Sequence, residues 1–199
     1  MYNIYDCVES FASLLDTEYH LVLGRKGISV SLDISFDKKD CFHLMGLQYL
    51  TDKPELRSDR GKIFDQIRER KITKDKIESS DLYGKIADRI KMLPFLEELL
   101  DSNETIFKYN QKANLFSKIQ ADYLLKNKIY NQNIFIFLSK IPSKDQYFCR
   151  SFFPETTQDY TRNQPQWTLL YKEKFKKSEK STILLYDRLG KTDITDSSK

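Results

Sequence analysis

Ile28-Ser29-Val30-Ser31-Leu32-Asp33-Ile34-Ser35-Phe36 alternates apolar and polar residues without a break. Successive side chains of a β-strand point to opposite faces, so this period of two predicts a strand with one dry and one wet face. Upstream, residues 19–23 also read as a strand. Between them Gly24-Arg25-Lys26-Gly27 supplies turn residues, which predicts a hairpin. Before the hairpin the spacing changes. Ile4, Val8, Phe11, Leu14 and Leu15 recur at helical intervals and predict an amphipathic helix over residues 2–16. After it, Asp40 is expected to cap a short helix that carries His43 and runs to about Leu50. Residues 51–61 read as a polar loop. Residues 62–100 read as helices in pieces, with Thr73 as an N-cap, a new start at Ser80 and a restart at Pro94. From Glu104 the pattern returns to strands, over 105–109, 121–125, 133–139, 146–153, 167–175 and 182–186. Helices followed by short strands predict an α+β fold: an N-terminal helix and hairpin, a helical middle segment and a C-terminal antiparallel meander. We read 1–190 as a single domain with a helical insertion over 62–103, and 191–199 as a flexible tail.

Composition narrows the chemistry. With 40% hydrophobic residues, 13 Phe and 12 Tyr, the 199-residue chain can build a core and is not a disordered segment. Its net charge of +4 suits contact with nucleic-acid phosphates, and equally a lysine-rich soluble surface. Cys7, Cys41 and Cys149 are odd in number and far apart, and only two histidines occur, so neither a disulfide framework nor a zinc site is expected. Reduced thiols, no signal-like N-terminus and no run of membrane length lead us to expect a cytoplasmic protein with no membrane partner. No P-loop, dinucleotide-binding glycine fingerprint, HExxH or GxSxG occurs, and the acidic residues are scattered, so neither metal nor cofactor is expected. Metal-free acid–base chemistry remains.

RNA cleavage by the ribose 2′-OH is such a reaction. It needs a group to take the 2′ proton, one to protonate the leaving 5′ oxygen, and cations around the phosphorane. His43, in the run Cys41-Phe42-His43-Leu44-Met45-Gly46-Leu47, is suited to either proton transfer, although an isolated histidine is commonly packed with no catalytic duty. Arg150, Lys118 and Lys172 can supply cations; Ser117, Ser151, Thr168 and Tyr123 can donate hydrogen bonds. Trp167 and Tyr171 are candidate base platforms or core residues, while Phe135, Phe137, Phe148, Phe152 and Phe153 read as core, with base stacking as the alternative. Residues 172–177 read as a phosphate track or as a solvated hairpin end.

Several strings also carry a resemblance. They are Phe42-His43-Leu44-Met45-Gly46-Leu47, Lys62-Ile63-Phe64, Ile106-Phe107-Lys108-Tyr109-Asn110 and Phe116-Ser117-Lys118-Ile119-Gln120-Ala121-Asp122-Tyr123-Leu124-Leu125, then Tyr147-Phe148-Cys149-Arg150-Ser151-Phe152-Phe153-Pro154 and Gln166-Trp167-Thr168-Leu169-Leu170-Tyr171-Lys172. In this order, from about Asp16 to Tyr186, the chain resembles a phage-associated nuclease-like domain of the barnase–EndoU–colicin–RelE class, in its fourth phage-type variety. The resemblance implies a helix packed on a four-stranded antiparallel sheet and cleavage of RNA without metal. It implies functional positions at His43, Lys62, Lys118, Arg150, Ser151 and Thr168. The chain lacks the second active-strand histidine of toxin nucleases, which leaves the general acid unassigned. The expected protein is a metal-independent ribonuclease of phage or mobile-element origin in a bacterial host cytoplasm. His43, Lys118, Arg150, Ser151 and Thr168 would form its catalytic set; Lys62, Tyr123, Trp167 and Lys172 would bind substrate. Expected partners are RNA or a nucleotide-like ligand, and a host or immunity protein. The alternative is a nuclease-like fold that binds a host protein or nucleotide-type ligand without cutting, and a third option uses the helical middle as a docking surface.

Overall fold

The computed structural model describes residues 2–102, 105–114 and 117–190. Glu104, Phe116 and the tail over 191–199 lie outside the described residues. Helix α1 (Ile4–Leu15) begins in a reciprocal cap: the Asn3 side chain accepts from the Tyr5 N–H at 2.9 Å, and the Asp6 carboxylate accepts from the Asn3 N–H at 2.7 Å. Its dry stripe is Ile4, Cys7, Val8, Phe11 and Leu14. Strands β1 (Thr17–Arg25) and β2 (Ile28–Ile34) form the hairpin, turning on Lys26 (φ 50°) and Gly27 (φ 78°). Two successive left-handed residues match the twist of the strands they join. On β1, Thr17, Tyr19, Leu21 and Leu23 are buried in strict alternation. On β2 the expected dry face is dry only from Leu32 onward, and Ile28 is 63% exposed. The reason is that β2 has an outer neighbour only at its last residue, Ile34.

The middle of the chain holds α2 (Lys38–Met45), α3 (Arg60–Arg68), α4 (Lys74–Glu78), α5 (Ala87–Met92) and α6 (Leu96–Asp101). Thr73 caps α4, as its position predicts. The cap of α2 is Asp37 rather than Asp40, and the helix stops at Gly46 rather than Leu50. Asp40 instead occupies the third helical position and closes a capping box by accepting from the Asp37 N–H at 2.8 Å. Gly46 adopts φ 81°, and a Cβ there would sit 2.9 Å from side-chain carbons of Ile86 and Arg89. Only glycine allows both that conformation and that approach.

The remaining strands are β3 (Thr105–Lys108), β4 (Tyr123–Ile129), β5 (Gln132–Lys140), β6 (Tyr147–Pro154), β7 (Gln166–Lys176) and β8 (Ser181–Asp187). The mixed α+β class is as expected, and β4, β5 and β6 do run as a meander. The sheet differs from a four-stranded one. Its order is β1-β2-β6-β5-β4-β3-β7-β8, and β7 also pairs along β1, so seven strands close on themselves. The closure has one thin seam, where β2 and β6 meet in parallel through the single pair Ile34 and Tyr147. Strand β5 is buried on both faces. Ile134, Ile136 and Leu138 face the main core, which also holds α1 and the apolar residues of α2 to α6, whereas Phe135 and Phe137 join Phe107, Tyr109 and Leu124 in a second, aromatic cluster. Phe153 and Tyr160 pack against that second cluster.

The basic stretch on β7 is neither a phosphate track nor a solvated end. Period two puts Lys172, Lys174 and Lys176 on one face, directed along α6 and at its C-terminal end. The Lys172 ammonium is fully buried and donates to the Leu100 carbonyl at 2.8 Å and to the Ser102 carbonyl. Lys174 lies 2.7 Å from both Glu97 and Asp101, and Lys176 lies 3.0 Å from Glu97. Cations at a helix C-terminus also oppose its dipole. Burial pushes the Glu97 carboxyl up, but hydrogen bonds from Lys174, Ser13 and Lys176 outweigh it and hold it at about 2, against an ordinary 4.5. A depressed folded value stabilises above the ordinary range and is lost as pH falls toward 2. Glu97→Gln should therefore lower stability by roughly 2 kcal/mol at pH 7, with the deficit shrinking below pH 4. Denaturant melts of both proteins across that range check this.

Candidate active site

Helix α2 turns its apolar residues Cys41, Phe42, Leu44 and Met45 inward against α3 and β6. His43 is left half-buried at the edge of a cleft. Asp40 stands one turn earlier on the same helix and lines the same cleft. Opposite them runs β6. Its pairing with β5 matches Phe137 to Ser151 and Leu138 to Cys149, which leaves Arg150 as an extra, unmatched residue. Such a bulge re-aims side chains. Here Arg150 and Ser151, neighbours that an unbroken strand would send to opposite faces, both line the cleft, while Cys149 and Phe152 both face the main core.

The third wall is the segment before β4. The Tyr109 hydroxyl donates to Ser117 Oγ at 3.1 Å, Ser117 Oγ accepts from the Ile119 N–H at 3.1 Å, and Ser139 Oγ donates to the Gln120 carbonyl at 3.0 Å. Ser117 is therefore a scaffold residue, and the segment it holds presents Lys118 to the cleft. His43, Lys118, Arg150 and Ser151, drawn from three separate parts of the chain, thus surround one cleft of about 500 Å³.

The electrostatics favour an anion. Arg60, Lys118 and Arg150 line the cleft, and none makes an ion pair among the described residues. Burial pulls the His43 imidazole below its ordinary value, and the Arg60 and Arg150 charges add to this against a hydrogen bond with Gln48. The ring is thus neutral at pH 7 and able to accept a proton. Burial pushes the Asp40 carboxyl up to about 6, against the hydrogen bond from the Asp37 N–H. Two titratable groups on one helix face are therefore displaced toward one another, the imidazole downward and the carboxyl upward. Among the described residues no group of three or more His, Cys, Asp and Glu side chains converges as a metal site, and no helix is long and apolar enough to cross a membrane.

The model of the family described as phage-Barnase-EndoU-ColicinE5/D-RelE like nuclease matches residues 3–189. The chain belongs to this phage-type nuclease family. Comparison with curated proteins and with solved structures found no match. Family membership points to nucleic acid as the class of partner.

Other residues of this nuclease-family chain singled out from sequence lie away from the His43 cleft. Lys62 is exposed on α3, where its backbone N–H is capped by Asp59 at 3.0 Å. Thr168 pairs with Gly24 and lines a shallow surface beside the β1–β2 turn. Trp167 pairs with Ile106 and packs on the main core. Tyr123 is buried in that core, with the Lys108 ammonium 4.3 Å from its ring centroid. Lys172 is the buried helix cap described above. The second histidine, His20, meets Asp33 across the hairpin at 2.6 Å. Conversely, sequence reasoning missed Asp40, Arg60 and Gln48 as cleft residues. The spacing of Asp40 and His43, three apart on an expected helix, was the available signal for the first.

Proposed function

We propose that the cleft cleaves RNA by 2′-OH transesterification without a metal ion. His43 takes the proton of the 2′-OH as its oxygen bonds to phosphorus. The bond from phosphorus to the 5′ oxygen breaks, and the Asp40 carboxyl gives its proton to that oxygen. The products are a 2′,3′-cyclic phosphate and a free 5′-OH, with the charges on His43 and Asp40 reset by solvent. Lys118, Arg150 and Arg60 neutralise the charge that builds on the phosphorane, and Ser151 hydrogen-bonds a nonbridging oxygen. The observation that carries this reading is the meeting of His43 with Lys118, Arg150 and Ser151 around one cation-rich cleft. Incubating the purified protein with labelled RNA in excess chelator tests it. Cyclic-phosphate ends should form at the same rate with and without chelator; complete dependence on added metal would refute the mechanism.

Asp40 offers a sharper test. Because its folded value of about 6 lies above the ordinary 3.8, the cost of carrying its charge grows as pH rises between these values and is complete above them. Asp40→Asn keeps an oxygen to accept from the Asp37 N–H and removes that cost. At pH 7.5 it should be more stable than wild type, by up to about 2 kcal/mol, while cleaving at least ~100-fold more slowly. A variant that is stabilised and inactive separates a catalytic carboxyl from a mere cap. The pH profile follows the same logic. The rate needs His43 deprotonated and Asp40 protonated, so the optimum should fall on the acid side of neutrality and the rate should decline above pH 6.

A further inference from the structure

A second cleft of about 390 Å³ adjoins the first and shares Tyr49, Ile119 and Ser151 with it. Its centre is Arg89 on α5. The guanidinium carbon lies 5.5 Å from the Tyr49 ring centroid and 5.0 Å from that of Phe153, and Nη1 donates to the Phe152 carbonyl at 2.7 Å. No carboxylate pairs with Arg89 among the described residues, and burial pulls its pKa down. A largely buried cation ordinarily has an acidic partner, so a planar guanidinium held between rings and bonded to a single carbonyl is prepared for something else. Tyr160, 5.4 Å from Phe153, extends the aromatic surface, and Thr156, Thr157 and Gln158 give it a polar rim. Tyr49 is 44% exposed at the boundary of the two clefts.

Resting on the reading of the His43 cleft as the cleavage site, the geometry points to this second cleft as a nucleobase subsite. It takes the base of the nucleotide next to the scissile phosphate. Flat apolar rings receive the face of a base, and the hydroxyl and amide rim meets its edge. A base can enter such a cleft only when it is out of a duplex stack, so the substrate is single-stranded RNA, a loop or a frayed end. The subsite takes any base face, and the rim residues set preference among bases.

The test uses a fluorescent single-stranded oligonucleotide with 2′-deoxyriboses throughout, which cannot be cut, and reads its anisotropy. Tyr49→Ala should weaken binding roughly 5- to 100-fold, the range expected for one stacked base. Tyr130→Ala, which removes a ring 75% exposed outside both clefts, should leave binding within about twofold. An abasic site at the matching position should weaken wild-type binding as much as Tyr49→Ala does, and should add nothing further in that variant. Equal binding of Tyr49→Ala and wild type, or equal binding of the same sequence as a blunt duplex, overturns the proposal. The two readings fail separately. Tyr49-dependent binding without RNA cleavage leaves the subsite and removes the reaction; His43-dependent cleavage with Tyr49-independent binding does the reverse.

Discussion

Replacing His43 with glutamine should slow RNA cleavage by ~10²- to 10⁴-fold, the usual loss when a positioned general base is removed. The fold should survive, because the ring is only half-buried at the cleft edge and the inward face of α2 is carried by other residues. Circular dichroism melts should therefore move by no more than a few degrees. A companion variant tells a base from a bystander. Arg150 is among the charges that lower the His43 value, after burial and Arg60. Arg150→Ala removes a proposed phosphate contact and also lets that value rise. The rate should fall, and its acidic limb should move to higher pH, since the imidazole then stays protonated further up the scale. A drop in rate with an unmoved limb would assign Arg150 to binding alone. Growth of an expressing host gives an independent reading: wild type should arrest it, and His43→Gln should not.

Lys172→Met should cost roughly 3–5 kcal/mol of stability, the largest structural effect expected of any surface-like lysine in the sequence. Methionine matches the length of the stem but leaves the Leu100 and Ser102 carbonyls without their buried charged donor. At this chain size the melting temperature should fall by about 10 °C. Lys177→Met, five residues on, is the control. Its ammonium meets Glu18 at 3.3 Å with both side chains more than a third exposed, and such a pair contributes about 0–1 kcal/mol. Equal melting of the two variants would mean that the α6 end is not held by β7.

The sequence made this division legible in one place and hid it in another. Alternation over 28–36 predicts a two-faced strand, and the strand has that parity. The same rule applied to 172–176 puts three lysines on one face, yet their charge points to solvent, because burial of a lysine is rare. The strand series from β3 to β8 was visible because each carries β-branched or aromatic residues between turns. Closure of the sheet was not visible, because it depends on β7 returning to β1 about 150 residues away and on a parallel contact that leaves no periodic trace. The cleft follows the same pattern. His43, Lys118 and Arg150 were findable as residue types within distinctive strings. Arg60 and Arg89 were not, since a helix-start arginine and a mid-helix arginine look like solvated charges until their neighbours are known. The bulge at Arg150 was equally hidden: one unmatched residue shifts the parity of a strand without altering its composition.

The single-pair junction between β2 and β6 bears on how the cleft keeps its shape. Ile34 leads through three residues into the helix of His43, and Tyr147 precedes Arg150 by three residues, so that helix and the strand of Arg150 hang from opposite lips of the shortest suture in the barrel. Parting that suture would leave the packing of α2 on β6 to hold the two together. Amide exchange at Ser35, whose N–H bridges the lips to the Tyr147 carbonyl at 3.0 Å, therefore measures how often the lips part.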